Sequence, residues 1–314
     1  MSEPHWIAAP GATPPEGARL LYLPRPDGAR LRCAVLPHTS PRGVAVVTTG
    51  YNEFIEKYFE VAEALRDRGF AVVLYDTRGQ GLSSRPLDDA SLAHATSFDI
   101  YADDLAAVAS EIAADLAPSA PLILLAHSMG GLVTLHALAT GRARPAAAAL
   151  SAPMTRVVKS PPALFAAEVL TGLLCAIGLG EKPIFGRGPF ADEFEDNPFT
   201  HDRARFESFK ALQAVAPIAV LRGPTNAWVR AAIKAGKALS DGLKSVRTPM
   251  LIASAGDERV IDGTDHARVA QAAPNCSLLP IPGARHEILV EADDYRRQFW
   301  DAFDELAGRA GLAG

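Results

Sequence analysis

Residues 122–131 read Leu-Ile-Leu-Leu-Ala-His-Ser-Met-Gly-Gly, an apolar run that stops on a serine followed by two glycines. The run predicts a buried strand that delivers Ser128 to a tight turn. Residues Leu132–Thr140 predict a helix leaving on the other side. Such a turn holds a hydroxyl at the tip of a sheet and tolerates only small neighbours. It also sets Ser128 at a helix N-terminus, where free backbone N–H groups stabilise negative charge. These are the requirements of a nucleophile elbow, usually Gly-x-Ser-x-Gly. Here Ala126 stands at the first glycine and is small enough to pack there. The bland alternative is a strand–turn–helix junction with an incidental serine, and the partners found further along the chain count against it.

Composition bounds the rest. A chain of 314 residues that is 48% hydrophobic can bury a large core, as one α/β domain with an insertion or as two small domains. The net charge of −5 and the scattered basic residues argue against nucleic acid as a partner. Cys33, Cys175 and Cys276 are odd in number and far apart. They have neither metal-ligand spacing nor a disulfide framework, which suits a reducing compartment. Residues 8–17 are rich in Pro, Gly and Ala, with no basic stretch leading into an apolar one, so a cytoplasmic location is expected. No apolar stretch is long enough for a secure membrane span, and Pro161–Gly180 comes nearest.

Around the Ser128 strand the chain alternates short apolar strands with helical segments. Arg19–Leu23 and Arg30–Leu36 flank Pro26-Asp27-Gly28 and predict a hairpin. Strands are expected at Val44–Thr49, Ala71–Tyr75, Ala146–Leu150, Met250–Ala253 and Ser277–Ile281. Helices are expected at Glu53–Arg68, Phe98–Leu116 (with Ser97 as N-cap) and Ala292–Ala307. The fold class is therefore α/β, a mostly parallel sheet flanked by helices. The long stretch 152–246 breaks this rhythm, because one βαβ step needs only about thirty residues. It is read as an inserted helical cap over the catalytic face, dividing a core of residues 1–151 and 247–314.

A serine hydroxyl needs a base, and histidine suits the task because its pKa lies near neutrality. Of eight histidines, His286 follows a strand and the turn Pro282–Arg285, so a loop at a strand end carries it. His127 adjoins Ser128 and is expected to project away from it, and His266 reads as part of a surface helix. The carboxylate that orients the base is expected at Asp257, after Gly256 at the end of the preceding strand. Glu258, Asp262 and Asp265 are its rivals. The chain order Ser128, Asp257, His286 is that of an α/β-hydrolase. The backbone N–H of Met129 and that of Tyr51 are the expected oxyanion donors, with Asn52 as the alternative to Tyr51.

With these residues in hand, the chain resembles the lysophospholipase and monoacylglycerol-lipase group of α/β-hydrolases. The resemblance is carried by 49–58 (Thr-Gly-Tyr-Asn-Glu-Phe-Ile-Glu-Lys-Tyr), 76–83 (Asp-Thr-Arg-Gly-Gln-Gly-Leu-Ser), 98–105, 126–131, 255–260 and 283–287. It spans nearly the whole core, while the cap is matched only by position. It implies Ser128 as nucleophile, Asp257 and His286 as its relay, and Tyr51 and Met129 as oxyanion donors. Many relatives carry His-Gly before the oxyanion loop, where this chain has Thr49-Gly50.

The expected activity is cleavage of the acyl ester of lysophospholipids or monoacylglycerols through an acyl-serine intermediate, with no metal or organic cofactor. A general carboxylesterase acting on short esters, an acyltransferase, a non-catalytic lipid-binding protein and, lower still, a peptidase are the alternatives. Pro162–Leu179 is strongly apolar. It is either packing within the cap, the commoner case, or a surface that makes transient contact with a membrane, at the inner face if the protein is cytoplasmic. Trp228 and Phe185, Phe190, Phe194, Phe199, Phe206 and Phe209 are candidates for an acyl channel. Asp192, Glu193, Glu195 and Asp196 near its mouth favour a neutral or zwitterionic substrate. Arg78 and Arg85 are read as ion-paired with nearby acids rather than as ligands of a phosphate head group. The partner implied is a single-chain lipid ester, with no obligate protein partner evident.

Overall fold

The computed structural model describes residues 3–184 and 193–312. The hairpin strands are β1 (Arg19–Pro24) and β2 (Arg30–Leu36), followed by β3 (Gly43–Thr48), α1 (Phe59–Asp67) and β4 (Phe70–Tyr75). Next come β5 (Leu92–Ala93), α2 (Asp99–Ala107), α3 (Ala114–Leu116), β6 (Leu122–His127), α4 (Met129–Ala139) and β7 (Ala147–Ser151). The C-terminal part holds α5 (Pro161–Ala176), α6 (Arg203–Val215), β8 (Gly223–Pro224), α7 (Asn226–Gly242), β9 (Met250–Ala255), α8 (His266–Ala272), β10 (Cys276–Ile281) and α9 (Asp293–Arg309).

Eight strands form one sheet in the order β1-β2-β4-β3-β6-β7-β9-β10. β2 is antiparallel to both β1 and β4, and every pairing from β4 to β10 is parallel. Strand side chains alternate between two cores, as a period of two requires. Val44, Val46, Leu124, Ala148 and Ile252 face the layer of α2, α4 and α7. Ala45, Val47, Leu125, Ala149 and Leu251 face α1 and α9, where Phe299, Trp300 and Phe303 fill the space. Both faces are covered, which is why these strands read as continuous apolar runs.

Two predicted helices are less regular than their sequences suggest. The expected 53–68 helix begins as a 3-10 turn over Ile55–Tyr58, and the expected 98–116 helix contains a π segment at Val108–Ala113. Between β7 and β9, α7 lies in the layer against the sheet and buries Trp228, Val229 and Ile233 with α4. α5 packs on α7 but buries only Thr171, so Phe165 (67% exposed), Leu173 (61%) and Ile177 (70%) face outward. The commoner reading of this apolar segment, internal packing, is thus replaced by an exposed apolar face. No helix among the described residues is long and apolar enough to cross a membrane.

Candidate active site

β6 ends at His127 and the chain turns sharply at Ser128, whose φ of 49° lies in the left-handed region. That strain persists because the turn is held on both sides. Ser128 N–H donates to the Ser151 carbonyl at 3.1 Å, and Ser128 O accepts from Met154 N–H at 2.8 Å. The two glycines are there for space. A Cβ on Gly130 would lie 2.3 Å from the Thr48 carbonyl oxygen, and one on Gly131 would lie 2.5 Å from Pro153 Cβ. Ala126 is fully buried between β3 and β7, so a methyl group is accommodated at the first position of the motif.

The Ser128 hydroxyl lies 2.9 Å from His286 Nε2, and His286 Nδ1 lies 2.8 Å from Glu258 Oε2. All three residues are mostly withdrawn from solvent. The acid beside the histidine is therefore Glu258, and the expectation of Asp257 is corrected. After β9 the chain turns at Gly256, and Asp257 N–H is tied to the Ala284 carbonyl at 2.9 Å. This turns the Asp257 carboxylate outward, where it pairs with Arg259 at 2.6 Å and is 36% exposed. Glu258 points inward, and its second oxygen accepts the amides of Val260 at 2.7 Å and Ile261 at 3.1 Å. Burial alone would raise its pKa. The facing imidazole and these hydrogen bonds more than reverse that and hold it at about 2. Asp262 and Asp265, the other rivals, are engaged by Arg156.

Two histidines lie elsewhere than expected. His266 is buried, with Nδ1 on Ser254 Oγ and Nε2 on the Pro153 carbonyl, both at 2.8 Å. His127 does not leave the site, since its ring centroid is 4.9 Å from that of His286. Burial lowers its pKa to about 3, so it is neutral near pH 7 and adds no charge beside the base. Below it lies a buried ionic cluster absent from the sequence reading. Lys57 Nζ bridges Glu53 at 2.5 Å and Glu287 at 2.6 Å, and Glu53 also accepts the Gly50 amide and the Tyr58 hydroxyl. Glu53, His127 and Glu287 offer metal-ligating atoms within 4.8 Å of one another, but the Lys57 ammonium already bridges the two carboxylates. Their spacing in sequence (53, 127, 287) carried no signal. Only Glu53 and Lys57, one helical turn apart, were legible as a pair.

Asn52 donates its amide to Gln80 Oε1. That leaves the Tyr51 amide as the oxyanion candidate without an acceptor among the described residues, and Met129 opens α4 immediately after Ser128. The site faces a cleft of about 450 Å³ whose apolar wall includes Phe199, Phe206, Phe209, Val220, Leu221 and Val260. Trp228 is instead buried edge-on against Tyr51, and Phe194 packs on Phe206. Phe185, Phe190 and Asp192 lie outside the described residues. The charged groups on the cleft wall are Arg205, Lys210, Arg222, Glu53 and Glu287 rather than the acids of 193–196, and Glu195 is paired with Arg203. Arg78 is paired with Asp104 and Asp27, as its sequence surroundings suggest. Arg85 instead donates to the main-chain carbonyls of Gly79, Gly81 and Ile218.

The family described as serine aminopeptidase, S33, matches residues 39–293. This chain is a member of that α/β-hydrolase family. As an S33 member it is 35% identical over 261 residues to lysophospholipase L2 of Escherichia coli strain K12, covering 81% of this chain and 76% of that protein. It is 26% identical over 262 residues to a monoacylglycerol lipase of Mycolicibacterium smegmatis, covering 82% and 85% of the two chains. Among solved structures, a soluble variant of monoglyceride lipase from Saccharomyces cerevisiae superimposes with a TM-score of 0.75 at 19% identity. That match covers 96% of this chain and 98% of the other, and it speaks to the fold.

Proposed function

We propose that this S33 member is a serine ester hydrolase that cleaves the single acyl ester of lysophospholipids or monoacylglycerols. The observation that carries this reading is the continuous relay from Ser128 Oγ through His286 to Glu258 (2.9 and 2.8 Å), opening on a cleft with an apolar wall. The names of the relatives point to the same chemistry.

The steps follow from the hydrogen bonds. His286 Nε2 takes the Ser128 proton as Oγ attacks the ester carbonyl carbon, and Glu258 stabilises the imidazolium through Nδ1–H. The carbonyl oxygen becomes an oxyanion between the amides of Tyr51 and Met129. Collapse breaks the ester C–O bond, and the glycerol oxygen leaves with the proton from His286. Water, deprotonated by the same imidazole, then attacks the acyl-Ser128 carbonyl. Collapse breaks the bond from the acyl carbon to Oγ, His286 returns the proton to Ser128 Oγ, and the fatty acid is released. The acyl chain is assigned to the Phe199, Phe206, Phe209 and Leu221 wall.

The exposed apolar face of α5 supports access from a lipid surface. A helix that buries one residue and displays Phe165, Leu173 and Ile177 has more apolar surface than solubility favours. Fatty-acid release from monoacylglycerol, lysophosphatidylcholine, lysophosphatidylethanolamine and a short soluble ester tests the proposal, with Ser128→Ala as the blank. Preference for a long-chain lipid is expected. Activity on the short ester alone would reassign the enzyme as a general carboxylesterase.

A further inference from the structure

The loop 76–83 contains a fully polar residue, Gln80, that is only 2% exposed and has no part in the relay. Its carboxamide spans the oxyanion loop. Oε1 accepts the Asn52 amide, and Nε2 donates to the Gly50 carbonyl at 3.2 Å, so one side chain grips the backbone on both sides of Tyr51. The Gly50 carbonyl and the Tyr51 N–H are opposite ends of one planar trans peptide. Fixing the oxygen toward Gln80 therefore aims the Tyr51 N–H the other way. The same Nε2 lies 3.7 Å from Met129 Sδ, beside the second candidate donor.

Asn52 completes the clamp. Its φ of 61° is a left-handed conformation that asparagine tolerates better than most residues. Its side-chain Oδ1 accepts the Leu221 amide at 2.6 Å, and Leu221 forms part of the cleft wall. The oxyanion loop is thus held from the core by Gln80 and from the 217–222 segment by Asn52.

We propose that Gln80 is a positioning residue that orients the Tyr51 amide as an oxyanion donor, with Asn52 extending the same clamp to the cleft wall. This rests on the serine-hydrolase reading given above, in which Tyr51 N–H meets the developing oxyanion. Gln80 touches neither the acyl group nor Ser128 in this account, so its loss affects the transition state and spares ground-state binding.

The test uses the full chain with Gln80→Met, which keeps the volume and removes both hydrogen-bonding ends, and with Asn52→Gly, which keeps the left-handed φ without strain and removes only the Leu221 tie. Turnover of monoacylglycerol, affinity for a long-chain alkyl trifluoromethyl ketone (which adds to serine as a tetrahedral oxyanion) and affinity for the unreactive 1-O-alkyl glycerol ether are compared with those of the unaltered protein. Gln80→Met is expected to lower kcat at least about tenfold. Losing an oxyanion donor outright, about 10²–10³-fold, sets the upper bound. Ketone affinity should fall in parallel, with KM and ether affinity unchanged. Asn52→Gly should lower kcat and ketone affinity more weakly, and it should also loosen ether binding because Leu221 lines the cleft. If Gln80→Met does not fold, Gln80→Asn decides the matter, being one methylene too short to hold both the Gly50 carbonyl and the Asn52 amide. It should show the loss of kcat and ketone affinity at unchanged KM. A lowered Tm with unchanged kcat and ketone affinity would make the clamp merely structural and overturn the proposal. Failure of the unaltered protein to turn over any ester or to label at Ser128 with a fluorophosphonate would instead overturn the hydrolase reading itself.

Discussion

At the scale of single residues, the orientation of two neighbouring acids separates a relay from a surface ion pair. Glu258 meets His286 and two backbone amides, whereas Asp257 meets Arg259 in solvent. Glu258→Gln should therefore lower kcat by about 10³–10⁴-fold, the order lost when the orienting carboxylate of a serine triad becomes an amide. Asp257→Asn should stay within about twofold, because an exposed ion pair is worth little. Steady-state ester hydrolysis by the two variants decides between the acids. The depressed pKa of Glu258 also gives a signed prediction. Its folded value of about 2 lies below the ordinary 4.5, so the stabilisation is present above pH 4.5 and is lost as pH falls toward 2. Urea unfolding should show Glu258→Gln less stable than the unaltered protein by about 3 kcal/mol at pH 7, with the gap closing below pH 4.5. A gap that stays constant to pH 3 would show that the carboxylate is not held by the imidazole. That a carboxylate just after β9 closes the relay, between the serine and the histidine in chain order, was legible in the sequence, but it was expected to be an aspartate and is a glutamate. Which of residues 257 and 258 faces inward was not legible, because that depends on a hydrogen bond from Asp257 to Ala284 on a different loop.

At the scale of elements, the elbow is fixed by close backbone approach and α5 by its lack of a covering layer. The Gly130 Cα sits so near the Thr48 carbonyl that an added methyl cannot be relieved by moving a side chain. Gly130→Ala should cost about 1–3 kcal/mol as an overpacked contact, and it should abolish fluorophosphonate labelling of Ser128. Thermal melting and labelling measured on one preparation test both parts. This element was legible because strand, serine and glycines are contiguous in sequence. The surface of α5 was not, since a run such as Leu-Leu-Cys-Ala-Ile reads alike whether it is covered or bare. Leu173→Glu with Ile177→Glu should lower hydrolysis of long-chain lipid presented in vesicles several-fold and leave a short soluble ester unaffected. Equal loss on both substrates would mean that α5 supports the fold rather than the approach to lipid.

Across the whole molecule, two buried ionic networks fasten loops that the chain brings from far apart. Arg32 on β2 is fully buried between Asp76 at 2.7 Å and Glu56 at 2.8 Å. Asp76 in turn accepts the amides of Ile55, which follows the oxyanion loop, and of Leu82, in the loop that carries Gln80. The second network joins Glu53 and Lys57, after the oxyanion loop, to Glu287, next to the base in the C-terminal part of the chain. The parallel sheet and its flanking helices could be read from local apolar runs, because each strand records its own burial. These networks could not, since their members are separated by up to 234 residues (from Glu53 to Glu287) and each alone looks like an ordinary surface charge. Their energetics are nonetheless definite. Burial pulls the Lys57 ammonium toward neutrality, but Glu287 and Glu53 beside it more than compensate and raise its pKa, so it remains charged. Removing it leaves two carboxylates facing one another with little water to screen them. Breaking a buried ion pair in this way costs about 3–5 kcal/mol. Lys57→Met should therefore destabilise the protein by that order in urea unfolding at pH 7, and part of the loss should return at lower pH as a carboxyl protonates. A loss below about 1 kcal/mol, or one that grows on acidification, would show that Lys57 does not neutralise the two glutamates and that the oxyanion loop and the His286 loop are joined by something else.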